Sequence, residues 1–280
     1  MHKKHVSITG LSTKNQETIP LLLPERSAEA SGVQVFFTTR RGGVSQGSHA
    51  SLNLAEHVGD DPVRVARNRA MLEAVWSGKV RQVCYLNQVH GATTVVLEGA
   101  PGARQPPNAD AWATRQTGLL LAIMTADCAP VLFADATARV IGAAHAGWRG
   151  GLEGVLESCL QSMCRLGAQP ARIIGWIGPC IRRQSYSVDI DFQTAFAKHG
   201  DKVALGYKKF FSEQNYTGTL QFDLPGYLQE RLLFFGLQRE RIHDVELCTY
   251  SENDEFFSHR RSTQQGLAPC GRQIGGIFLE

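Results

Sequence analysis

Most of the features that classify a chain at sight are missing from this 280-residue sequence. Its seven cysteines include no Cys-x-x-Cys pair and their number is odd, which argues against a disulfide scaffold; most of them read as small buried hydrophobes. There is no Gly-x-Gly-x-x-Gly and no Walker A loop, so dinucleotide binding and P-loop chemistry have no support. The basic start, MHKKHVSITG, is not followed by the apolar stretch of a secretory signal. The apolar run over 118–134 is interrupted by Asp127 and Pro130 and is too short and polar to span a bilayer. A cytoplasmic protein with no membrane partner is the expectation. Basic residues occur in pairs (Arg40–Arg41, Arg182–Arg183, Arg260–Arg261), never in tracts, and the net charge is only +3, so nucleic acid is not an expected partner. Nor is there a low-complexity linker or an internal repeat.

What is present is ordinary globular composition, 43% hydrophobic and 20% charged, in a chain long enough for a sizeable core. Residues 1–30 are polar around an LLLP insert and read as a peripheral N-terminal segment; residues 31–280 read as one domain. Within it, β-branched and aromatic residues predict a strand over 33–40, and Asp60 or Asp61 followed by Pro62 opens a helix over 60–76. A strand over 83–90 delivers His90 to its end. Further strands are predicted over 93–98, 109–114 and 118–128, then a hairpin of 129–135 with 139–145 that leads to His145. A helix over 151–166 stops at Gly167, and a strand followed by a loop covers 172–181. A short helix stops at Gly200 and another starts at Pro225. The strand 241–250, the polar loop 251–266 and the strand 272–280 complete the chain. Short strands alternate irregularly with a few helices. That pattern predicts a single α/β (α+β) domain of layered, mixed, largely antiparallel sheets flanked by helices, not a doubly wound fold.

Three residues share one kind of position. His90, Cys128 and His145 each lie at the predicted end of a strand, just before a turn. Imidazole and thiolate are preferred ligands of zinc and copper, and two His with one Cys leave a fourth position for water, as in a catalytic zinc site. No short metal motif such as His-Glu-x-x-His joins them, so separate structural roles stand beside this reading. A metal-free reading pairs Cys128 with His145 as nucleophile and base. Asp127 is a candidate general base or a carboxylate that orients a ligand. Arginines suited to an anion are Arg40, in the glycine-rich stretch Arg40–Arg41–Gly42–Gly43 with Ser45, then Arg149 and Arg260. Each has salt bridging at the surface as its plain alternative.

The ordered set TTRRGGVSQGSHASLNL, NQVHG, ADAWAT, MTADCAPVLF, AAHAGWRG, IGPCI, FDLPGYL, FFSHRR and GRQIGGIFL resembles the bacterial laccase-domain family. That family is also called multicopper polyphenol oxidase, purine nucleoside phosphorylase or peptidoglycan editing factor family. The resemblance runs over roughly residues 30 to 280. It implies a layered α/β fold similar to the catalytic domain of the cytotoxic necrotizing factor deamidase toxins. It implies zinc, with copper as the alternative, on His90, Cys128 and His145. It implies an enzyme that phosphorolyses adenosine, inosine and methylthioadenosine and also deaminates adenosine, so that nucleoside and phosphate are the small-molecule partners. On this reading Arg40, Arg149 and Arg260 hold the anion, and Asp127 or His145 shuttles a proton. Two departures stand out: Ser187 lies where the family often has Glu, and His259 where Tyr is common. Alternatives are a copper-dependent polyphenol oxidase, disfavoured because the nine histidines include no His-x-His, and a peptidoglycan editing hydrolase using Cys128 and His145. A metal-binding accessory protein without catalysis is a fourth reading. The oligomeric state has no sequence signal.

Overall fold

Strand β7 (Leu119–Thr125) shows why this chain folds in layers. Its residues from Leu119 to Met124 are all apolar and buried; Leu119, Leu121 and Ile123 enter one core, Leu120, Ala122 and Met124 another. Strand β8 (Ala129–Asp135) does the same, with Val131 and Phe133 in one core and Leu132 and Ala134 in another. Side chains of a strand alternate between faces, so a strand apolar on both needs a layer on each side.

The structure, a computed structural model, describes residues 6–12, 18–99, 105–198, 206–213 and 219–280. A first six-stranded sheet runs in the order β1 (Val6–Ser12), β2 (Thr18–Pro24), β3 (Val33–Thr38), β15 (Gln273–Leu279), β7 and β4 (Gln82–Cys84); only the β4–β7 pair is parallel. A second runs β14 (Ile242–Asp244), β10 (Ile174–Ile177), β8, β9 (Val140–Ala146), β6 (Ala111–Thr114) and β5 (Thr94–Leu97), antiparallel inside and parallel at both edges. The inner faces of the two share a core that includes Phe37, Leu121, Leu132, Trp112 and Trp176. Helix α1 (Pro62–Val75) covers the outer face of the first sheet. Helices α3 (Val155–Arg165) and α5 (Leu224–Phe235) cover the second. A small third sheet of β11 (Ser187–Val188), β13 (Leu220–Phe222) and β12 (Phe211–Glu213) lies beyond. This is a single domain of mixed, largely antiparallel sheets flanked by helices, as the sequence predicts.

Several local expectations change. The segment before residue 31 supplies β1 and β2 to the edge of the first sheet, and Ile19 and Leu21 are fully buried there. The strand predicted over 83–90 ends at Cys84, because the backbone N–H groups of Val89, His90 and Gly91 turn to the Asp110 carboxylate and leave the ladder. The helix predicted over 151–166 is two helices, α2 (Trp148–Glu153) and α3, separated by Gly154 at φ +93°. Helix α4 (Ile190–Lys198) is present; its expected stop at Gly200 lies outside the described residues. The polar loop 251–266 contains helix α6 (His259–Gln264), whose cap is the Ser258 hydroxyl accepting from the Arg261 N–H. The strand predicted over 241–250 is only β14.

The Gly275–Gly276 pair of β15 sits opposite Phe37 and Phe36 of β3. A Cβ on Gly276 would lie 2.4 Å from Cζ of Phe36, which is fully buried against Trp76. Gly276→Ala is therefore expected to cost about 1–3 kcal/mol of stability by overpacking. Denaturant unfolding of the variant measures it; unchanged stability would show that the ring has room to move.

Candidate functional site

The β8–β9 hairpin pairs Ala129 with Ala146 and Pro130 with His145. That register leaves Cys128 and His145 at the same end of the second sheet. Strand β6 pairs with β9 through Ala111 and Ala144, which sets Asp110 beside His145. The His145 N–H donates to the Asp110 carbonyl at 2.7 Å, and its ring Nδ1 meets the Asp110 carboxylate at 2.8 Å. The other ring nitrogen is left to face Cys128. His90 arrives by a different route. The Gln88 amide bonds both the N–H and the carbonyl of Met124 at 2.8 Å, pinning the 85–91 segment to β7. Asp110 then takes the N–H groups of residues 89, 90 and 91. One buried carboxylate thus holds both histidines.

The result is a compact donor set. The ligand atoms of His90, Cys128 and His145 all lie within 4.8 Å of one another, and the imidazole centroids are 4.7 Å apart. His145 is buried, Cys128 half-buried and His90 exposed, so the group is anchored at one side and open at the other. Two neutral imidazoles and a thiolate suit a soft or borderline metal, and the Asp110–His145 bond is the usual way such a ligand is oriented. These three residues therefore form a group able to hold a metal ion. Gly147 is needed beside it: a Cβ there would lie 2.7 Å from Cys128 Sγ. His90 at φ +61° and Asp127 at φ +91° both adopt the left-handed conformation rare for non-glycine residues, and such outliers cluster at functional sites.

Burial by itself pushes a thiol up. The adjacent His145, by charge and hydrogen bond, and then His90 more than offset this and bring Cys128 below an ordinary cysteine. Burial likewise pushes His145 down, but the Cys128 thiolate and the Asp110 hydrogen bond raise it above its ordinary value. Metal-free, each partner favours the charged form of the other. Cys84, by contrast, is pushed up to about 12 by burial. In metal-stripped protein, Cys128 is accordingly expected to alkylate first among the seven cysteines at pH 7, with added Zn²⁺ blocking it. Peptide mass spectrometry after iodoacetamide treatment reads the order, and equal labelling with and without zinc would remove Cys128 from the metal group.

The three residues open into a cleft of about 370 Å³. Arg260 lines it: its guanidinium donates to the Ser187 carbonyl at 2.6 Å and lies 5.1 Å from the centroid of the Tyr186 ring. The Ser187 carbonyl makes this contact, so the departure to Ser at that position leaves it intact. Asp127 lines the cleft too, but its two oxygens accept from the Thr249 hydroxyl and the Arg260 N–H, each at 2.7 Å. Its carboxylate ties the 249 loop and the start of α6 to the site, which is a positioning role and not that of an unengaged base.

The other two arginines sit elsewhere. Arg40 donates to the carbonyls of Ala50 at 2.7 Å and Asn253 at 3.0 Å and does not line the cleft. The N–H groups of Gly43, Val44 and Ser45 are used by Ser51 and Asn68, so that loop braces the fold and is no anion cradle. Arg149 is exposed, over the face of Trp148, and does not line the cleft either. What the sequence reading missed is Asp110, Gln88, His57, Tyr186 and Arg272. Asp110 carries a faint signal, a lone acid within the apolar ADAWA stretch. The others carry none.

Comparison with known proteins places the chain in a family. The profile of a family described as multi-copper polyphenol oxidoreductase laccase matches residues 34–280. A purine nucleoside phosphorylase of Corynebacterium glutamicum is 37% identical over 249 residues, 88% of this chain and 94% of that protein. The purine nucleoside phosphorylase YfiH of Escherichia coli is 35% identical, over 85% and 92% of the two chains. The crystal structure of a Bacillus licheniformis protein named YfiH superposes with a TM-score of 0.82 at 28% identity, covering 93% of this chain and 96% of that one.

Proposed function

The chain belongs to the multi-copper polyphenol oxidoreductase laccase family, and from that premise we propose that it is a zinc-dependent purine nucleoside phosphorylase. Adenosine, inosine and methylthioadenosine are its proposed substrates, with adenosine deamination, in which an activated water attacks C6 of the purine and ammonia leaves, as a second activity. The observation that supports this most is the convergence of His90, Cys128 and His145 on a cleft sized for a small molecule and walled by Trp148, Tyr186 and Arg260. The relatives named as purine nucleoside phosphorylases cover nearly the whole chain.

His90, Cys128 and His145 would hold the zinc. Bound zinc supplies Lewis acidity, stabilising negative charge that develops in the substrate. The chain's own groups do the rest. Trp148 and Tyr186, both braced by Phe192 at centroid distances of 4.6 and 5.9 Å, offer flat faces for a purine. Asp110 keeps the His145 ring from turning. Asp127 holds Arg260 at the cleft, where a fixed cation stabilises an anionic reactant without reorganising. Oxidation of phenols by several coppers is less well served, because the described residues contain one three-ligand group.

The test is turnover of adenosine by purified protein with and without phosphate, together with elemental analysis. Ribose 1-phosphate formed only when phosphate is present, by a protein carrying stoichiometric zinc, is the expected result. Zinc without any adenosine turnover would end the purine assignment, and copper in place of zinc would reopen phenol oxidation.

A further inference from the structure

We propose that inorganic phosphate docks on a wall of the cleft made by the Arg272 guanidinium and the His57 and His259 imidazoles, with Arg272 as its main anchor. The inference rests on the phosphorolytic reading above and assigns the subsite that reading requires.

Arg272 lies just before β15, half-buried, and lines the cleft. Its Nη1 donates to the carbonyls of Cys270 at 2.7 Å and Gly271 at 3.0 Å, which pins the side chain. Its Nε and Nη2 have no acceptor among the described residues, and no described carboxylate lies within ion-pair distance. A pinned guanidinium with one unused edge presents two parallel N–H donors, the fork that matches two oxygens of a tetrahedral oxyanion. The His57 and His259 rings line the same cleft and make no side-chain hydrogen bond to another described residue. Burial lowers the pKa of both, and Arg272 is the next largest cause for each, so both rings sit in the field of that one guanidinium. Asp127, the sole carboxylate among the described residues lining the cleft, is held by the Thr249 hydroxyl and the Arg260 backbone N–H and makes no ion pair with Arg272. A pinned guanidinium whose spare N–H donors open into a cleft beside two imidazoles without side-chain hydrogen bonds suits an anion.

The geometry also divides the cleft. Arg272 and His57 come from the side of the first sheet, since Arg272 precedes β15 and His57 follows the Leu52–Ala55 stretch that packs with α1; His259 opens α6 beside Arg260. The aromatic residues Trp148 and Tyr186 pack with the core of the helical side. Phosphate on the first wall and nucleoside on the second would leave an oxygen of HPO₄²⁻ free to attack C1′ of the ribose. The new O–C1′ bond forms as the C1′–N9 bond breaks; its electron pair leaves with the purine, and the proton of HPO₄²⁻ ends on the purine nitrogen. The products are ribose 1-phosphate dianion and neutral purine, with no further reactant.

The experiment is steady-state kinetics on the zinc-loaded protein with phosphate and adenosine varied independently, beside direct titration of phosphate alone followed by ³¹P NMR. Arg272→Gln is expected to raise KM for phosphate about 10- to 100-fold, the range for losing charge-assisted hydrogen bonds, while KM for adenosine changes little. Arg272→Lys, which keeps the charge but not the fork, is expected to fall between. His57→Gln and His259→Asn, at positions with no side-chain bonds to lose, are expected to raise KM for phosphate several-fold and serve if Arg272→Gln fails to fold. Unchanged phosphate KM in folded, zinc-replete variants would overturn the assignment. So would tight binding of AMP, but not of phosphate, that depends on Arg272. If the wild type makes no ribose 1-phosphate, the phosphorylase reading falls; Arg272-dependent phosphate binding by NMR would then still uphold the subsite, and its absence would overturn it.

Discussion

Cys128→Ala is expected to leave the protein folded, without metal, and slower in ribose 1-phosphate formation by about 10³-fold or more, the scale seen when one member of an interdependent catalytic set is removed. The reason is electrostatic as well as geometric. Cys128 is the one anionic donor among the three, and without it two imidazoles remain, of which His90 is exposed and easily hydrated. The truncation itself is mild: Cys128 is half-buried and lines the cleft, and the hairpin register that positions it is set by the seven residue pairs of β8 and β9. Elemental analysis and turnover should therefore collapse together while the unfolding midpoint in chelator stays put. Stoichiometric metal and intact turnover in the variant would sink the metal assignment.

Asp110 should show the second-largest effect, and on two quantities at once. Its carboxylate accepts from the N–H groups of residues 89 to 91 and from the His145 ring, and its side chain is fully buried. Asp110→Ala strands three amide donors and one imidazole, at a cost of about 2–5 kcal/mol in stability. Asp110→Asn keeps the size but turns an NH₂ toward donors; metal affinity is expected to drop about 10- to 100-fold, as for other carboxylates that orient a metal-bound histidine. The pH dependence has a definite sign. Burial pushes this carboxyl up, but the hydrogen bond from His145 and those from the backbone hold it below the ordinary carboxylate value. Its contribution is fully present above the unfolded-state pKa of about 4 and is lost as the pH falls through the lower folded-state value. Denaturation of wild type and Asp110→Asn in chelator should accordingly differ most near neutrality and converge in acid. A constant gap down to the acid limit would mean that the carboxylate charge contributes nothing.

Much of the architecture was legible because it depends on local pattern. The doubly apolar runs 119–124 and 129–134 announce strands covered on both faces, and the spacing of 129–135 and 139–145 announces the hairpin. That hairpin alone carries Cys128 and His145 to one end. The family motifs made the same three ligands stand out.

Other features were settled only by long-range contacts. His90 was expected at a strand end and instead sits in a turn, because a carboxylate twenty residues away in the chain takes the amides that a β-ladder would use. Arg40 and Arg149 look in sequence as fit for an anion as Arg272 does, since a guanidinium is the same wherever it occurs. What separates them is which carbonyls or rings lie nearby: Ala50 and Asn253 occupy Arg40, Trp148 faces Arg149 at the surface, and one edge of Arg272 stays open to the cleft. The sequence by itself determined the layers and the hairpin, because alternation and turn chemistry act between near neighbours, and the family resemblance singled out His90, Cys128 and His145. Only the tertiary structure decided which charges are spent and which remain available, because a charge is neutralised by whatever folding brings beside it.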